Sequence, residues 1–314
     1  MYTHANMIRR ILLFLLPAIL SLPTLAQCCP EKPQAIKRQA LWQKLQDQLH
    51  VVNQQLDGVL GLAVKDLTSG DEFYINADEI MPQASSIKIA VLADLYRQAQ
   101  QGKLKLTDEY TVRKEDLVSG SDIMLGLTAG TTRLTLRDLA TMMVAVSDNS
   151  ATNVLIDHLG MDNVNSMLEG LGLHVTRLRR KMMDLKAADE GRENVSTPRE
   201  MMTLLETIYR GKLLNAEMTQ DYLRVLSTHK ESALLQGLPE GAVAANKPGE
   251  LEAVRNDSGI VLVKNRPYVL CVMTTYLKDE HDGSAAIRKI TALTYSYFDR
   301  VGRASDYGRV VSPK

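Results

Sequence analysis

Apolar residues recur with two different periods along this chain, and the switches between them mark its organisation. Between residues 35 and 52, Ile36, Leu41, Leu45 and Leu49 return at helical spacing and predict an amphipathic helix. Gly58 to Asp66 and Glu72 to Asn76 then read as two strands, joined in hairpin fashion over Thr68-Ser69-Gly70-Asp71. The middle is helical in period: Ile87 to Gln101, Thr135 to Val146, Ala151 to Leu159, Asn163 to Leu171 and Pro198 to Tyr209. The last of these has a clear start. Thr197-Pro198-Arg199-Glu200 is a capping box with proline at the first helical position, where no N–H is needed. A period of two returns in Gly241 to Lys247, Ser258 to Lys264 and Tyr268 to Tyr276, the latter two joined around Asn265-Arg266. Ala285 to Val301 closes the pattern as a helix.

Strands from both ends with helices between them predict an α+β fold. The expectation is an antiparallel sheet flanked by N- and C-terminal helices, with an inserted all-helical subdomain. The folded domain is expected over 35–301, with 35–80 and 230–301 in the sheet part and 85–228 in the helical part. Residues 27–34 read as a linker and 302–314 as a loose tail. No repeat or low-complexity tract interrupts this scheme.

Composition changes the picture little, with 45% hydrophobic and 24% charged residues, as in soluble globular proteins. The N-terminus changes it more. Arg9 and Arg10 precede the apolar run Ile11 to Leu20, which is broken by Pro17 and followed by small residues up to Ala26. That is the layout of a secretory signal peptide over 1–26, with Met7 as an alternative start, and the run is short of the ~20 residues of a membrane span. Removing it leaves 35 basic against 37 acidic residues. No basic excess points to nucleic acid. The protein is therefore expected in the periplasm or outside the cell. Leu25-Ala26-Gln27-Cys28 faintly resembles a lipoprotein cleavage box, although Gln27 stands where a small residue is wanted, so lipidation at Cys28 is the minority reading. Cys28 and Cys29 are adjacent, a strained arrangement for a disulfide, and Cys271 reads as a buried hydrophobe. Neither cysteines nor histidines cluster at metal-ligand spacing, and no metal or cofactor is expected.

Three short motifs carry the chemistry. Ser85 falls in a first helical turn with Lys88 one turn on, on the same face, where a base could take the serine proton. Ser147-Asp148-Asn149 follows a helical run and sits on a loop; it suits a proton relay and a substrate-binding amide, but equally a helix-capping turn. Lys247-Pro248-Gly249 lies where the strand pattern resumes. Its lysine could hold a substrate carboxylate and its glycine would let the backbone approach an acyl group, while a surface lysine before a turn reads the same way. Two lysines near one serine would lower each other's pKa and help Lys88 act as a neutral base.

The order and spacing of the three decide between these readings. From Ser85 to Ser147 is 62 positions and from Ser147 to Lys247 is 100. Over roughly Ala40 to Val301 the chain resembles the penicillin-recognising serine hydrolases, and among them the class A β-lactamase-like group. Leu134-Thr135-Leu136-Arg137-Asp138-Leu139-Ala140, leading into the serine loop, and Val195-Ser196-Thr197-Pro198 support the likeness. The resemblance implies Ser85 as acylated nucleophile, Lys88 as its activator and Ser147 as proton shuttle. It also implies Asn149 and Lys247 as substrate binders, and the backbone N–H groups of Ser85 and of Glu250, after Gly249, as the oxyanion hole. Arg255 is expected to assist with a substrate carboxylate, or else to form a structural salt bridge near Asp257.

Three departures accompany the likeness. Where the family places a deacylating glutamate and a following asparagine, this chain reads Met182 and Lys186 within Met182-Met183-Asp184-Leu185-Lys186. Asp184 is then the nearest carboxylate; Glu190 and Glu193 read as solvated loop charges. The arginine–aspartate clamp of that loop becomes Arg180 with Asn194, and Pro248 replaces a hydroxyl residue. The expectation is thus an exported, monomeric serine hydrolase that forms an acyl-enzyme with β-lactams or related amides. Its alternatives are a D,D-peptidase (penicillin-binding protein) acting on peptidoglycan peptides and a non-catalytic β-lactam sensor. The group that activates the deacylating water, Asp184, Lys88 or none, is left open.

Overall fold

An early strand and a late strand of the chain pair in the middle of one sheet. The computed structural model describes residues 33–305 and 307–310, so the expected signal peptide, most of the linker, Cys28 and Cys29 lie outside the described residues. Strands β1 (Val59–Asp66) and β2 (Glu72–Ile75) come early, and β7 (Ala244–Leu251), β8 (Val254–Val261) and β9 (Tyr268–Thr275) come late. They form a five-stranded antiparallel sheet in the order β2-β1-β9-β8-β7, with Leu62 opposite Val272 at the junction. Two small ribbons complete the strands: β3 (Met81–Pro82) with β6 (Val195–Ser196), and β4 (Glu109–Thr111) with β5 (Arg133–Thr135).

The central strands are apolar on both faces because both faces are covered. Leu60, Leu62, Val64, Leu270 and Val272 pack in one cluster with Leu45, Leu49 and Val52 of α1 (Pro33–Gln55) and with Ile287, Ile290 and Phe298 of α10 (Glu280–Gly302). Tyr268 stacks flat on Phe298 at 4.0 Å, and the single Trp42 tilts against Tyr297 at 5.1 Å. Ile36, expected in the apolar stripe of α1, is exposed instead. On the opposite face, Ala63, Ala245, Ile260, Val269 and Cys271 join the core of the helical part. Cys271 is a free, fully buried thiol, as a small hydrophobe would be.

The axis of the helical part is α2 (Lys88–Gln100), buried from Lys88 to Tyr96. A helix that is apolar all round must be surrounded. Here α3 (Leu136–Ala145), α4 (Asn149–Leu159), α5 (Met161–Gly170) and α8 (Ala216–Leu226) surround it, while α7 (Pro198–Tyr209) packs on the sheet. The one-turn helices α6 (Leu185–Asp189) and α9 (Ala233–Gln236), and α8, were not expected from the pattern.

One boundary differs in a way that matters. β7 does not stop at Lys247 but carries Lys247-Pro248-Gly249 within the strand as far as Leu251, and β8 begins at Val254. Proline is tolerated because β7 is an edge strand and needs no donor on its open side. The tail also departs from expectation: Ala304 pairs with Val310, and Lys37 Nζ donates to the Tyr307 carbonyl at 3.1 Å, so these residues fold back toward α1.

Candidate active site

Ser85 sits in a 3-10 turn, Ala84–Ile87, that runs directly into α2. The residue before it, Ala84, has φ 49°, a left-handed conformation that costs a side-chain-bearing residue on the order of 1 kcal/mol and that tends to occur at functional sites. β7 packs against this turn. A Cβ on Gly249 would stand 2.7 Å from the Gln83 carbonyl oxygen and 2.8 Å from the Ser86 nitrogen, so only glycine permits the approach. Ser86 Oγ donates to the Lys247 carbonyl at 3.2 Å and ties turn to strand.

Lys88 is fully buried on the first turn of α2. Its Nζ donates to the Ser147 carbonyl at 2.6 Å, to Ser147 Oγ at 3.0 Å and to Asn149 Oδ1 at 3.0 Å. Among the described residues it makes no hydrogen bond to Ser85. Ser147 has φ 57°, a second left-handed residue, which turns its carbonyl and hydroxyl together toward Lys88. The two readings of the triplet divide among its members. Asp148 caps α4 through the Ala151 N–H at 2.9 Å and holds the Met124 N–H at 2.9 Å, whereas Ser147 and Asn149 enter the cleft.

Lys247 reaches the same serine from the other side. Its Nζ donates to Ser147 Oγ at 3.1 Å and to the Pro248 carbonyl at 3.1 Å. A hydroxyl has two lone pairs and one hydrogen. With both lone pairs taken by lysines, the Ser147 hydrogen must point away from them. Burial, followed by the charge of Lys247, holds the Lys88 ammonium well below the lysine range. Lys247 itself is brought down to about 7, chiefly by burial. Ser85, Ser147, Asn149, Lys247 and Glu250 line one cleft of about 840 Å³.

In sequence and fold the chain is similar to known proteins. The family model for the beta-lactamase enzyme family covers residues 40–298. The chain belongs to the beta-lactamase enzyme family. It is 26% identical to SME-1 β-lactamase of Serratia marcescens over 261 residues, which are 80% of this chain and 88% of that one. The crystal structure of a β-lactamase from Sphaerobacter thermophilus aligns at 30% identity and TM-score 0.75, covering 81% of this chain and 97% of that one. A PBP-A mutant solved as its acyl-enzyme complex with penicillin G aligns at 26% identity and TM-score 0.74, covering 83% and 97%. The α+β fold is that of class A β-lactamases, and the chain is a serine hydrolase of β-lactamase type.

Within this β-lactamase fold, two expectations need correction. Arg255 does not reach the cleft: its guanidinium pairs with Glu280 of α10 and donates to the Leu251 and Val254 carbonyls at 2.8 and 2.7 Å. Neither substrate assistance nor a bridge near Asp257 describes it. Glu193 is not a solvated charge; it is half-buried and pairs with Arg180 at 3.0 Å. The loop clamp is thus rebuilt from two parts. Asn194 Oδ1 accepts the Arg179 and Arg180 N–H groups at 2.7 and 3.0 Å, and the charge pair moves to Glu193.

The loop at Met182 is held firmly but offers the cleft no carboxylate. Asn153 clasps the Met182 backbone in both directions, at 2.8 and 3.0 Å. Asp184 is exposed and accepts from the Ala187 N–H at 3.0 Å as the cap of α6, and it does not line the Ser85 cleft. The carboxylates that do are Asp122, Glu231 and Glu250, all exposed. Sequence reasoning missed Lys230, which lines the cleft although 5% exposed. Its neighbours Thr228 to Ser232 carry no motif, and only the polar run between two apolar helices could have drawn attention to them.

Proposed function

We propose that the protein is an exported hydrolase that opens β-lactams, or related amides, by acylating Ser85. The observation that carries the reading is Ser147 Oγ, which lies within hydrogen-bond reach of both Lys88 and Lys247. Burial favours neutral Lys88. With two N–H groups in place of three it releases one of its contacts to Ser147 and Asn149, and the lone pair so freed takes the Ser85 proton as the hydroxyl attacks the amide carbonyl. The Ser85 and Glu250 N–H groups are the oxyanion donors, each worth ~3 kcal/mol in the transition state. As the C–N bond breaks, Ser147 gives its outward hydrogen to the leaving nitrogen and recovers one from Lys88 along their 3.0 Å hydrogen bond. The proton leaves Ser85 and arrives on nitrogen, and Lys88 and Ser147 return to their starting states. Asn149, whose Nδ2 also donates to the Ser119 carbonyl at 3.2 Å, has an N–H for the substrate carbonyl.

Release of the acyl group is the slower half in this reading. The family's deacylating glutamate is absent, with Met182 in its place, and Asp184 is occupied as a helix cap. That favours a second reading, a D,D-peptidase that passes the acyl group from peptidoglycan peptides to water or an amine and is inhibited by penicillins. The signal-peptide layout of residues 1–26 supports export, to the periplasm or beyond.

Purified protein mixed with a chromogenic cephalosporin, followed by colour and by intact mass, tests both. Sustained turnover that Ser85→Ala abolishes supports a β-lactamase. A single-equivalent burst with a lasting adduct, together with D-alanine release from a peptide, supports the peptidase. Absence of both Ser85-dependent turnover and any adduct on Ser85 refutes the acylation chemistry.

A further inference from the structure

Two lysines meet at Ser147 Oγ, and the chemistry asks opposite things of them: Lys88 must be neutral to take a proton, while Lys247 serves the cleft as a cation. Both are buried, which works against charge on either. At Lys88 burial comes first, and the positive charge of Lys247 then outweighs the negative charge of Asp148, so both favour the neutral amine. At Lys247 burial again pulls toward the neutral form, and Asp257 is the largest charge that opposes it. Asp257 is fully buried in β8, opposite Pro248 in register. It is therefore one strand spacing, ~4.8 Å, from the β7 backbone that carries Lys247.

Every hydrogen bond to the Asp257 carboxylate comes from a donor: Ser232 Oγ at 2.5 Å, Asn246 Nδ2 at 2.7 Å and the Leu234 N–H at 3.1 Å. A protonated carboxyl would need an acceptor, so this geometry suits the ionised form, against the upward push of burial. The same bonds fasten the cleft wall. Asn246 precedes Lys247 on β7 and also donates to Ser232 Oγ at 2.7 Å, while Ser232 follows His229, Lys230 and Glu231, which line the cleft. Asp257 itself does not line it. The other charges facing Lys247 are Lys230, which opposes its proton, and Glu250, which favours it less than Asp257 does. Lys88 faces it across Ser147, and Asp122, His229 and Glu231 are exposed along the cleft. On the β9 side of Asp257, Cys271 is a neutral thiol pushed up to about 12 by burial. We propose that Asp257 is a positioning residue for acylation, the buried counter-charge that holds Lys247 as a cation beside Ser147 and so leaves Lys88 as the base. The inference rests on the acylation reading above.

The test reads Ser85 acylation by a chromogenic cephalosporin, by stopped flow and intact mass, across about pH 5.5–9.5. Wild type is expected to lose rate above about pH 7, as Lys247 gives up its proton. Asp257→Asn and the smaller Asp257→Ser remove the charge. Each is expected to move the midpoint of that fall down by roughly one pH unit, about an eightfold loss of rate at about pH 7.5. Arginine does not titrate in this range, so Lys247→Arg is expected to abolish the fall, and Asp257→Asn added to Lys247→Arg to shift nothing. Two neutral variants of different size keep the test open should one fail to fold. A midpoint that stays in place in a folded neutral variant, whatever the height of the plateau, would reduce Asp257 to a structural role and overturn the inference. A wild-type rate flat across the range, or a shift that persists beside Lys247→Arg, would do the same. Each of these leaves the acylation reading standing, whereas a wild type that acylates at no pH removes both.

Discussion

Replacing Lys247 with methionine should make the protein more stable at low pH and almost inactive. Lys247 is 1% exposed, and burial brings its ammonium from the ordinary 10.5 to about 7. Below pH 7 the lysine is protonated in both the folded and the unfolded chain, and the folded chain bears the full cost of the buried charge. At 1.36 kcal/mol per pH unit that cost is on the order of 5 kcal/mol. Between pH 7 and 10.5 the folded lysine becomes neutral while the unfolded one stays charged, so wild-type stability rises with pH across that window. Lys247→Met keeps a flexible apolar stem and loses the charge, but also loses the bonds to Ser147 Oγ and the Pro248 carbonyl. At about 1 kcal/mol each, those losses leave a net gain of roughly 3 kcal/mol at pH 6 and a slight deficit at pH 10. Urea unfolding at pH 6, 8 and 10, followed by fluorescence of the single Trp42, measures the gap. An equal gap at pH 6 and 10, or a variant weaker than wild type at pH 6, would refute the argument. A lysine kept at such a cost is most simply kept for the chemistry of the cleft.

Four further outcomes are expected. Ser147→Ala removes the acceptor shared by Lys88 and Lys247 and should slow Ser85 acylation by about 10²–10⁴, the usual worth of a positioned proton-transfer group; a stopped-flow loss under about threefold would take Ser147 out of the relay. Gly249→Ala forces a Cβ against the backbone of Gln83 and Ser86 and should cost about 1–3 kcal/mol with loss of acylation. Gly170→Ala, at the end of α5 with open space around it, should be neutral or mildly stabilising; urea unfolding measures both glycine variants. Asp184→Ala should lower stability by about 1 kcal/mol through loss of the α6 cap while leaving the steady-state rate of cephalosporin turnover unchanged; a large fall in that rate would return Asp184 to the reaction.

Much of the fold was legible because its signals are local. The capping box at Thr197 sets the start of α7 at Pro198, and the apolar run from Tyr268, buried on both faces, appears as β9. What escaped the pattern has a common cause. α8 is short and strongly amphipathic between polar loops, and α6 and α9 are single turns whose existence depends on caps and tertiary packing. β7 ran on through Pro248 because position at the sheet edge, which no local pattern states, decides whether proline is tolerated.

The same division runs through the site. Sequence alone determined which residues could form an acyl-transfer centre, because Ser85, Lys88, Ser147, Asn149 and Lys247 are recognisable by type, order and spacing. It could not determine which charges meet. Arg255 and Lys230 are both basic residues near the last strands, yet Arg255 is drawn to Glu280 while Lys230 is buried at the cleft. Glu193 reads as a loop charge until Arg180 is found beside it. Hydrogen-bond donors and nucleophiles are properties of side chains and survive in the linear text. Desolvation and Coulomb energy are properties of distance and burial, and those are settled only when α2, the Ser147 loop and β7 close around the same few ångströms.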